Sequence, residues 1–484
     1  MIFSSPIFLF AFLPFSIISY FLFKKFFGNR FLNVLLVAQS CIFLWWGNSE
    51  YFILILLFCI LIYMFGNLIY YSQRNLNVVR YENTGGGYSD NKYWLYLSVI
   101  VVLCSLIYFK YFYIVLSELN GIFRCDFEIK KLVVPLGFSF LSFSAISYVV
   151  DISRSQANPG KFFDALLYFL FFPKFISGPI VLWKDFSSLL NKRNNSFENV
   201  VFGIERFIIG LSKKVIFADT FAECISRINE FYPNGLTLLT LFGRSVLFMF
   251  QIYLDFSAYS DMAIGMMKIF GFESKENFNF PYISQSVSEF WRRWHISLGT
   301  FFKEYVYIPL GGNRRGNVYI NLFVVFALTG IWHGVGLNFL IWGGLNGIFV
   351  CFERFIKDFR FYKAIPKFVK IFITLFILYL LWVIFMNKDF ISTLKNFKYF
   401  ANFTQKPVNF SFRYFFDTRI MVLLIIASLG FVLYIIPYVK EKVCSLLDSL
   451  YGTITKYIIL VLLFIVSVSF ICNSTYHPFI YFQF

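Results

Sequence analysis

The chain has 484 residues, of which 59% are hydrophobic and only 14% are charged. Soluble domains carry about a quarter charged residues, so this composition excludes a soluble enzyme and indicates a polytopic membrane protein. The formal net charge is +17, but the basic residues lie in short loops between apolar runs, which is typical of positive charge kept on the cytoplasmic side. We therefore predict no nucleic-acid partner. The eight cysteines show no metal-binding spacing, so we predict no metal site either.

Repeated apolar runs of about 16 to 25 residues predict an all-α fold, because the strands of a membrane barrel would be near ten residues and alternate. We expect a polytopic transmembrane helical bundle of about 11 to 12 spans with interfacial and re-entrant helices, forming one integrated membrane domain over 1–484. The first run, 2–23, is followed by Lys24 and Lys25, which favours a first span over a cleaved signal peptide. The positive-inside pattern then places the N-terminus and the C-terminal tail, 473–484, outside.

Two apolar runs in the first half of the chain are interrupted by Pro and Gly. Run 132–150 contains Pro135 and Gly137, which is compatible with a broken or re-entrant helix or with a kinked span. Run 162–183 contains Phe-Pro-Lys-Phe-Ile-Ser-Gly-Pro, with Lys174 inside it. Irregular backbone at membrane depth needs protein or a water-filled cavity around it. Lys174 is a candidate to pair with a carboxylate, bind a phosphate or extend to the interface.

A polar segment follows the long apolar run 236–254. It contains Asp255 and Asp261 among hydroxyl side chains, and charges in apolar surroundings need internal partners. The six-residue separation does not place the two carboxylates on one helical face, so a paired general acid and base is not predicted. We expect supporting roles, such as capping or orienting a helix or orienting a histidine. The Lys213 and Lys214 pair is assigned to the cytoplasmic side.

The stretch 289–346 contains two of the only three histidines. Trp291, His295 and Leu298 follow each other at helical spacing, which predicts an interfacial helix with His295 on its buried side. Arg292 and Arg293 lie mostly off that face and are expected to point toward water and phosphates. Each histidine in such surroundings is a functional hypothesis, because ionisable groups in the membrane are costly.

A second pattern is the spanning run 318–335, which follows Arg314 and Arg315. At about 1.5 Å per residue, His333 would lie about 22 Å into a hydrocarbon core about 30 Å thick. The Gly-rich sequence after His333 permits close helix packing. The Gly-Gly-Asn-Arg-Arg segment before the run predicts either a backbone pocket for phosphate or an ordinary cytoplasmic turn.

Three motifs now support a resemblance. The runs Trp-Arg-Arg-Trp-His-Ile-Ser-Leu, Tyr-Ile-Pro-Leu-Gly-Gly-Asn-Arg and Gly-Ile-Trp-His-Gly resemble the membrane-bound O-acyltransferase family, particularly its bacterial alginate and peptidoglycan O-acetylation branch. The resemblance implies a central cavity, a catalytic core over 280–347, His333 as the catalytic histidine and His295 as its companion. A neutral imidazole accepts the proton of an attacking hydroxyl and returns it to a leaving thiolate. Trp332 is assigned a supporting role beside Asp255 and Asp261.

The resemblance also implies an acyl donor. We expect a cytoplasmic thioester, acetyl-CoA, and no permanently bound cofactor. The candidate donor-binding residues share a positive charge that suits phosphate: Arg292, Arg293, Lys174, Arg314 and Arg315. Orientation of a surface helix against anionic membrane lipids is the alternative for the arginines.

The terminal sequence Phe-Ile-Tyr-Phe-Gln-Phe resembles the Phe-x-Tyr-x-x-Phe ending of alginate-type proteins and of a small partner peptide in D-alanylation systems. That resemblance implies Tyr481 as a transient acyl acceptor, which would divide one transfer into two. Aromatic anchoring at the membrane interface is the alternative.

The resulting hypothesis is a bacterial inner-membrane O-acetyltransferase that serves peptidoglycan or an alginate-like polysaccharide. The resemblance implies a periplasmic serine-hydrolase-like partner, through which the polysaccharide acceptor is reached. Two alternatives stay open: a D-alanyl transferase of the teichoic-acid type, and a transporter or flippase of acylated precursors. A transporter predicts repeated halves, and the sequence has no detectable internal repeat.

Overall fold

The structure is a computed structural model that describes residues 2–29, 31–81, 90–123, 134–190, 192–231, 236–387, 389–401, 412–435, 445, 449–473 and 479. Throughout these ranges the regular structure is helical and contains no strand, which confirms the all-α fold class. The chain divides into two compact units, Met1–Ile204 with Ala263–Lys275 and Glu205–Met262 with Glu276–Phe484.

The helices of the first half of the chain are α1 (Leu13–Phe27), α2 (Leu32–Gly47), α3 (Phe52–Tyr81), α4 (Asp90–Lys110), α5 (Phe112–Phe123), α6 (Phe138–Ser153), α7 (Phe162–Leu170), α8 (Phe172–Phe175), α9 (Trp183–Leu189), α10 (Phe197–Ser212) and α11 (Asp219–Phe231). Short π-helical or 3-10 segments occupy Phe8–Phe12, Ser49–Tyr51 and Lys213–Ala218.

The second half begins with α12 (Leu238–Ile269), α13 (Val287–Arg293), α14 (Ile296–Phe302), α15 (Val318–His333), α16 (Leu337–Ile356), α17 (Arg360–Ala364), α18 (Lys367–Phe385), α19 (Phe390–Ala401), α20 (Phe412–Phe415), α21 (Thr418–Ile435) and α22 (Leu450–Asn473). A 3-10 turn covers Pro281–Ile283 and a π-helical turn covers Lys303–Tyr307.

Seven helical segments of the described chain are long and apolar enough to cross a membrane: Phe8–Phe27, Ser49–Arg74, Lys92–Lys110, Leu238–Ile269, Leu337–Ile356, Lys367–Phe385 and Leu450–Asn473. Four shorter apolar helices, Leu32–Gly47, Phe138–Ser153, Val318–His333 and Thr418–Phe431, lie between them in sequence. This pattern is that of a polytopic helical membrane protein. The predicted count of about 11 to 12 spans stays a prediction.

In the first unit, the two apolar runs that contain Pro and Gly differ from each other in structure. Gly137 adopts a left-handed conformation with φ of 80° as the N-cap of α6, and the helix after it is continuous. The 162–183 run is broken into α7, α8 and a non-helical segment. Side chains satisfy backbone groups there, since Ser40 Oγ accepts from Phe172 N at 3.1 Å and Ser147 Oγ accepts from Trp183 N at 2.9 Å. This is how irregular backbone survives among apolar helices.

In the second unit, α15 and α16 pack closely through glycine. A Cβ on Gly330 would lie 2.4 Å from the main-chain oxygen of Phe339 and 3.1 Å from the Cα of Gly343. A larger side chain at Gly330 would therefore require the backbone of α16 to move. The close approach predicted for the Gly-rich sequence around His333 is therefore confirmed.

The prediction of one interfacial helix through Trp291, His295 and Leu298 is wrong, although His295 is buried as expected. Helix α13 ends at Arg293, Trp294 is extended, and His295 has a φ of 45° before α14 begins. The break is held from outside the helices, because Asn279 N donates to Arg293 O and Ile296 N donates to the main-chain oxygen of Asn277, both at 2.9 Å. Those bonds replace the helical ladder at this point.

Candidate active site

His295 lies at the junction between α13 and α14, in the second unit. Its side chain is buried, with 1% of its surface exposed. The ring meets Phe256 edge-on at a centroid distance of 4.6 Å and lies 6.5 Å from Phe278. Burial lowers the pKa of His295 to about 3, because the apolar surroundings disfavour the charged imidazolium. The imidazole is therefore neutral at physiological pH.

Asn277 holds the ring of His295. The Nδ1 atom of His295 lies 3.1 Å from the Oδ1 of Asn277. The same oxygen accepts hydrogen bonds from Ser297 N at 3.2 Å and from Ser297 Oγ at 2.8 Å. The Nδ2 of Asn277 donates to Ser260 Oγ of α12 at 2.9 Å. Within the described residues, the buried Nε2 of His295 has no hydrogen-bond partner.

His333 is the last residue of α15 and is also buried. Its ring meets Trp342 of α16 at 5.1 Å and Phe385 of α18 at 5.2 Å, both edge-on. Gly334 follows in extended conformation, and a Cβ there would lie 2.3 Å from the ring of Phe339. The end of α15 is thus positioned by aromatic rings on two other helices.

An aromatic chain links the surroundings of the two histidines. The ring of Trp342, which contacts His333, lies 6.0 Å from Trp382, and Trp382 lies 5.1 Å from Trp294. Trp294 immediately precedes His295. Both histidines belong to the second unit. The ring of His295 contacts those of Phe256 and Phe278 rather than that of His333. Large aromatic rings fix both positions without adding charge.

The two aspartates of α12 are ion-paired. Asp255 lies 2.9 Å from the Nζ of Lys214, which also pairs with Asp219 at 2.7 Å. Asp261 lies 2.8 Å from Arg206 and 2.6 Å from Lys213. Both carboxylates thus have basic partners, as buried charges require, and the residue bonded to the ring of His295 is an asparagine.

The predicted donor-binding arginines near α13 differ in exposure. Arg292 is exposed, whereas Arg293 is partly buried, pairs with Glu289 at 2.8 Å and donates to the main-chain oxygen of Asn279 at 3.2 Å. Arg293 therefore stabilises the break between α13 and α14. Arg292 is the one whose guanidinium faces outward and is able to meet a phosphate.

The turn that contains Arg314 and Arg315 has internal hydrogen bonds. The backbone N–H groups of both arginines donate to the oxygen of Gly311, and Gly312 N donates to Tyr307 O. A phosphate pocket needs free N–H groups, so these bonds favour the ordinary turn. The two arginine side chains are exposed.

Lys174 belongs to the first unit and is buried. Its Nζ donates to Ser144 Oγ at 3.1 Å and lies 4.1 Å from the centroid of the Tyr168 ring. The lysine therefore does not extend to a surface, and its charge is stabilised by a hydroxyl and an aromatic face.

The C-terminal tail is described at Phe479, whereas Tyr481 lies outside the described residues. Phe479 is fully buried. Its ring lies 4.2 Å from Tyr259 and 5.8 Å from Phe256. Because Phe256 also contacts His295 at 4.6 Å, Phe479 lies beside the His295 pocket.

Comparison with known proteins decides the family. The model of the membrane-bound O-acyltransferase family matches residues 128–395. A probable alginate O-acetylase from Pseudomonas aeruginosa is 36% identical over 399 residues, which cover 80% of this chain and 72% of that protein. The chain belongs to the membrane-bound O-acyltransferase family.

Other relatives give the same assignment. A peptidoglycan O-acetyltransferase from Helicobacter pylori is 34% identical over 428 residues, or 82% of this chain and 79% of that protein. A teichoic acid D-alanyltransferase from Bacillus subtilis is 30% identical over 254 residues, or 49% of this chain and 63% of that protein. This O-acyltransferase is therefore a multi-pass membrane enzyme.

Sequence reasoning missed several residues that stabilise the candidate site and the helix beside it. Asn277 and Ser260 are not predicted, because polar uncharged side chains carry no signal without knowledge of what they contact. Lys214 is interpreted as cytoplasmic charge, although it is buried between Asp255 and Asp219. A search for basic partners of the buried aspartates would have found it.

Proposed function

We propose that this protein is an O-acetyltransferase that acetylates a cell-envelope or exported polysaccharide. The observation that supports this is the extent of similarity. Relatives named as alginate O-acetylase and peptidoglycan O-acetyltransferase match 80% and 82% of this chain, whereas the D-alanyltransferase of Bacillus subtilis matches 49%. The same comparison favours acetyl transfer over D-alanyl transfer.

In the proposed reaction, His333 is the general base. The acceptor oxygen attacks the carbonyl carbon of an acetyl thioester while a ring nitrogen of His333 takes the hydroxyl proton. The tetrahedral intermediate then collapses and the carbon–sulfur bond breaks. The leaving thiolate takes the proton from the imidazolium of His333. The rings of Trp342 and Phe385 hold the imidazole in place, which favours a reproducible geometry for the proton transfer. Trp332 extends the aromatic wall beside it.

Acetyl-CoA is the proposed donor, delivered from the cytoplasm. Its phosphates require exposed cations, and Arg292, Arg314 and Arg315 meet that condition. Arg293 and Lys174 are engaged with other groups of the protein, so we do not assign them to donor binding. Guanidinium groups bind phosphate oxygens in a bidentate manner.

Tyr481 is the proposed relay between the buried site and the outside. Its hydroxyl would accept the acetyl group and pass it to a periplasmic serine-hydrolase-like partner, which transfers it to the polysaccharide. The position of Phe479, two residues before Tyr481 in the sequence, next to Phe256 supports this proposal. In this proposal the protein lies in a bacterial inner membrane with both termini outward.

The test measures ester-linked acetate in envelope polysaccharide from cells that express wild type, His333→Ala or Tyr481→Phe at matched membrane levels. We expect both variants to lose acetylation, His333→Ala by about 100-fold or more, the usual contribution of a general base. Thr329→Val is the control, because Thr329 is buried one turn earlier on α15 and its hydroxyl donates to the Val325 oxygen.

Each outcome separates the alternatives. Loss with His333→Ala alone would make Tyr481 an aromatic anchor. Full acetylation with His333→Ala would exclude the proposed mechanism and favour the transporter hypothesis. Ester-linked D-alanine in place of acetate, measured in the same samples, would support the D-alanyl transferase.

A further inference from the structure

The hydrogen bonds around Asn277 determine how its side-chain amide is oriented. The backbone N–H of Ser297 is always a donor, and it points to the Oδ1 of Asn277 at 3.2 Å. The other amide atom, Nδ2, donates to Ser260 Oγ at 2.9 Å. The atom that faces Ser297 and His295 is therefore the oxygen, an acceptor.

This orientation fixes the tautomer of His295. The Nδ1 of His295 lies 3.1 Å from Oδ1 of Asn277, and a neutral imidazole carries a proton on only one nitrogen. A proton on Nδ1 donates to that oxygen, whereas a lone pair there would face another lone pair. The proton therefore belongs on Nδ1, and Nε2 carries the lone pair.

The main chain at His295 is also held in one particular conformation. His295 has a φ of 45°, a left-handed conformation that non-glycine residues adopt at a cost. The backbone N–H of Ile296 donates to the main-chain oxygen of Asn277 at 2.9 Å. Asn277 thus bonds to both the main chain and the side chain at this junction.

Asn277 is itself anchored through the residue before it. Glu276 pairs with Arg206 of α10, and Arg206 also pairs with Asp261 of α12 at 2.8 Å. Lys213 completes the group by pairing with Asp261 at 2.6 Å. We call these four residues the Arg206 clamp; it ties the segment that carries Asn277 to two helices.

We propose that Asn277 is a positioning residue of the acyltransferase, which holds His295 as the Nδ1–H tautomer. In this tautomer Nε2 accepts a hydrogen bond from an amide N–H of the acetyl-CoA donor, while the single proton of the attacking hydroxyl goes to His333. The Nε2 atom is buried and has no partner among the described residues. This inference rests on the proposed function for the identity of the reaction, but not for the tautomer.

The surroundings of the His295 ring favour the neutral imidazole. Among the described residues, Phe256, Phe278, Asn277 and Ser297 contact the ring, and none of these four is charged. Burial alone lowers the pKa of His295 to about 3. The lone pair on Nε2 thus persists across the physiological pH range.

The first test is spectroscopic and independent of activity. The protein has only three histidines, so nitrogen-15 labelling of histidine in lipid nanodiscs gives few signals, and His295→Gln identifies the one from His295. We expect a protonated Nδ1 and an unprotonated Nε2 from pH 5 to pH 8. Asn277→Leu should mix the tautomers. A protonated Nε2 in wild type, or an unchanged spectrum in Asn277→Leu, would overturn the proposal.

The second test measures loss of acetyl-CoA by the purified protein in nanodiscs as a function of pH. Asn277→Leu should lower turnover by about 100-fold, the effect expected from misplacing a site group by about 1 Å. Asn277→Asp keeps the acceptor and adds a charge, so we expect it to retain most activity and to move the acid limb to higher pH.

The matched control is Asn396→Leu, which removes a buried asparagine that bonds to Arg244 and Asn387 and not to a histidine. Its turnover and pH profile should follow wild type. A pH profile unchanged in Asn277→Asp would overturn the positioning role even if Asn277→Leu does not fold. If wild type does not consume acetyl-CoA, the donor in the proposed function is wrong, and the spectrum still decides the role of Asn277.

Discussion

The backbone at His295 adopts a conformation that a glycine would adopt without strain. A left-handed φ costs a non-glycine residue about 1 to 2 kcal/mol, yet the sequence has histidine at this position. The side chain is held in place, with one ring nitrogen bonded to Asn277 and the ring lying between 4.6 and 6.5 Å from those of Phe256 and Phe278. Strain that persists against a simpler residue indicates that the imidazole is needed.

His295 should also make stability depend on pH. Its folded pKa is about 3, below the unfolded value of about 6.5. Between these values the unfolded chain binds a proton that the folded protein does not, so stability falls as pH decreases from about 6.5 toward 3. At pH 5 the loss is on the order of 2 kcal/mol.

The measurement is thermal unfolding of the solubilised protein at pH 7.5 and pH 5. His295→Gln removes the titrating group, so its melting temperature should fall less than that of wild type over this range. Equal decreases in the two proteins would mean that His295 is protonated in the folded state.

At the scale of helices, the contact between α15 and α16 sets the position of His333. Gly330→Val would bring a side chain within 2.4 Å of the Phe339 oxygen, which is main chain and has little freedom to move. We expect a loss of at least about 1 to 3 kcal/mol, as in overpacked cores. Gly344→Ala is the control, because its Cβ meets only the Phe323 ring at 3.8 Å. Melting temperatures in detergent would compare them, and equal values would contradict the packing argument.

Apolar runs predict helix positions better than they predict helix ends. The run 318–335 corresponds closely to the helix Val318–His333, but the run 236–254 continues as one helix to Ile269. The helix is able to continue through Asp255 and Asp261 because both carboxylates have basic partners. The break at His295 has no local signal. It depends on main-chain hydrogen bonds in which Asn277 O accepts from Ile296 N and Asn279 N donates to Arg293 O. Residues so distant in sequence cannot be paired by periodicity.

For the whole molecule, a transfer from a cytoplasmic donor to an outside acceptor requires the two ends of the path to lie on opposite sides of the membrane. The proposed donor residues Arg314 and Arg315 precede α15, and His333 is at its other end. A helix of 16 residues is about 24 Å long. The proposed catalytic histidine thus lies one helix length from the proposed donor arginines, a distance comparable to a hydrocarbon core of about 30 Å.

This topology predicts opposite labelling of two exposed positions. Glu50 lies between α2 and α3, a connection without basic residues, and Asn313 lies in the basic turn before α15. By the positive-inside rule, Glu50 faces outward and Asn313 faces the cytoplasm. In a variant that lacks the eight native cysteines, Glu50→Cys should react with an impermeant maleimide in intact spheroplasts. Asn313→Cys should react only after permeabilisation, and labelling of both in intact spheroplasts would refute the orientation and, with it, donor entry from the cytoplasm at this turn.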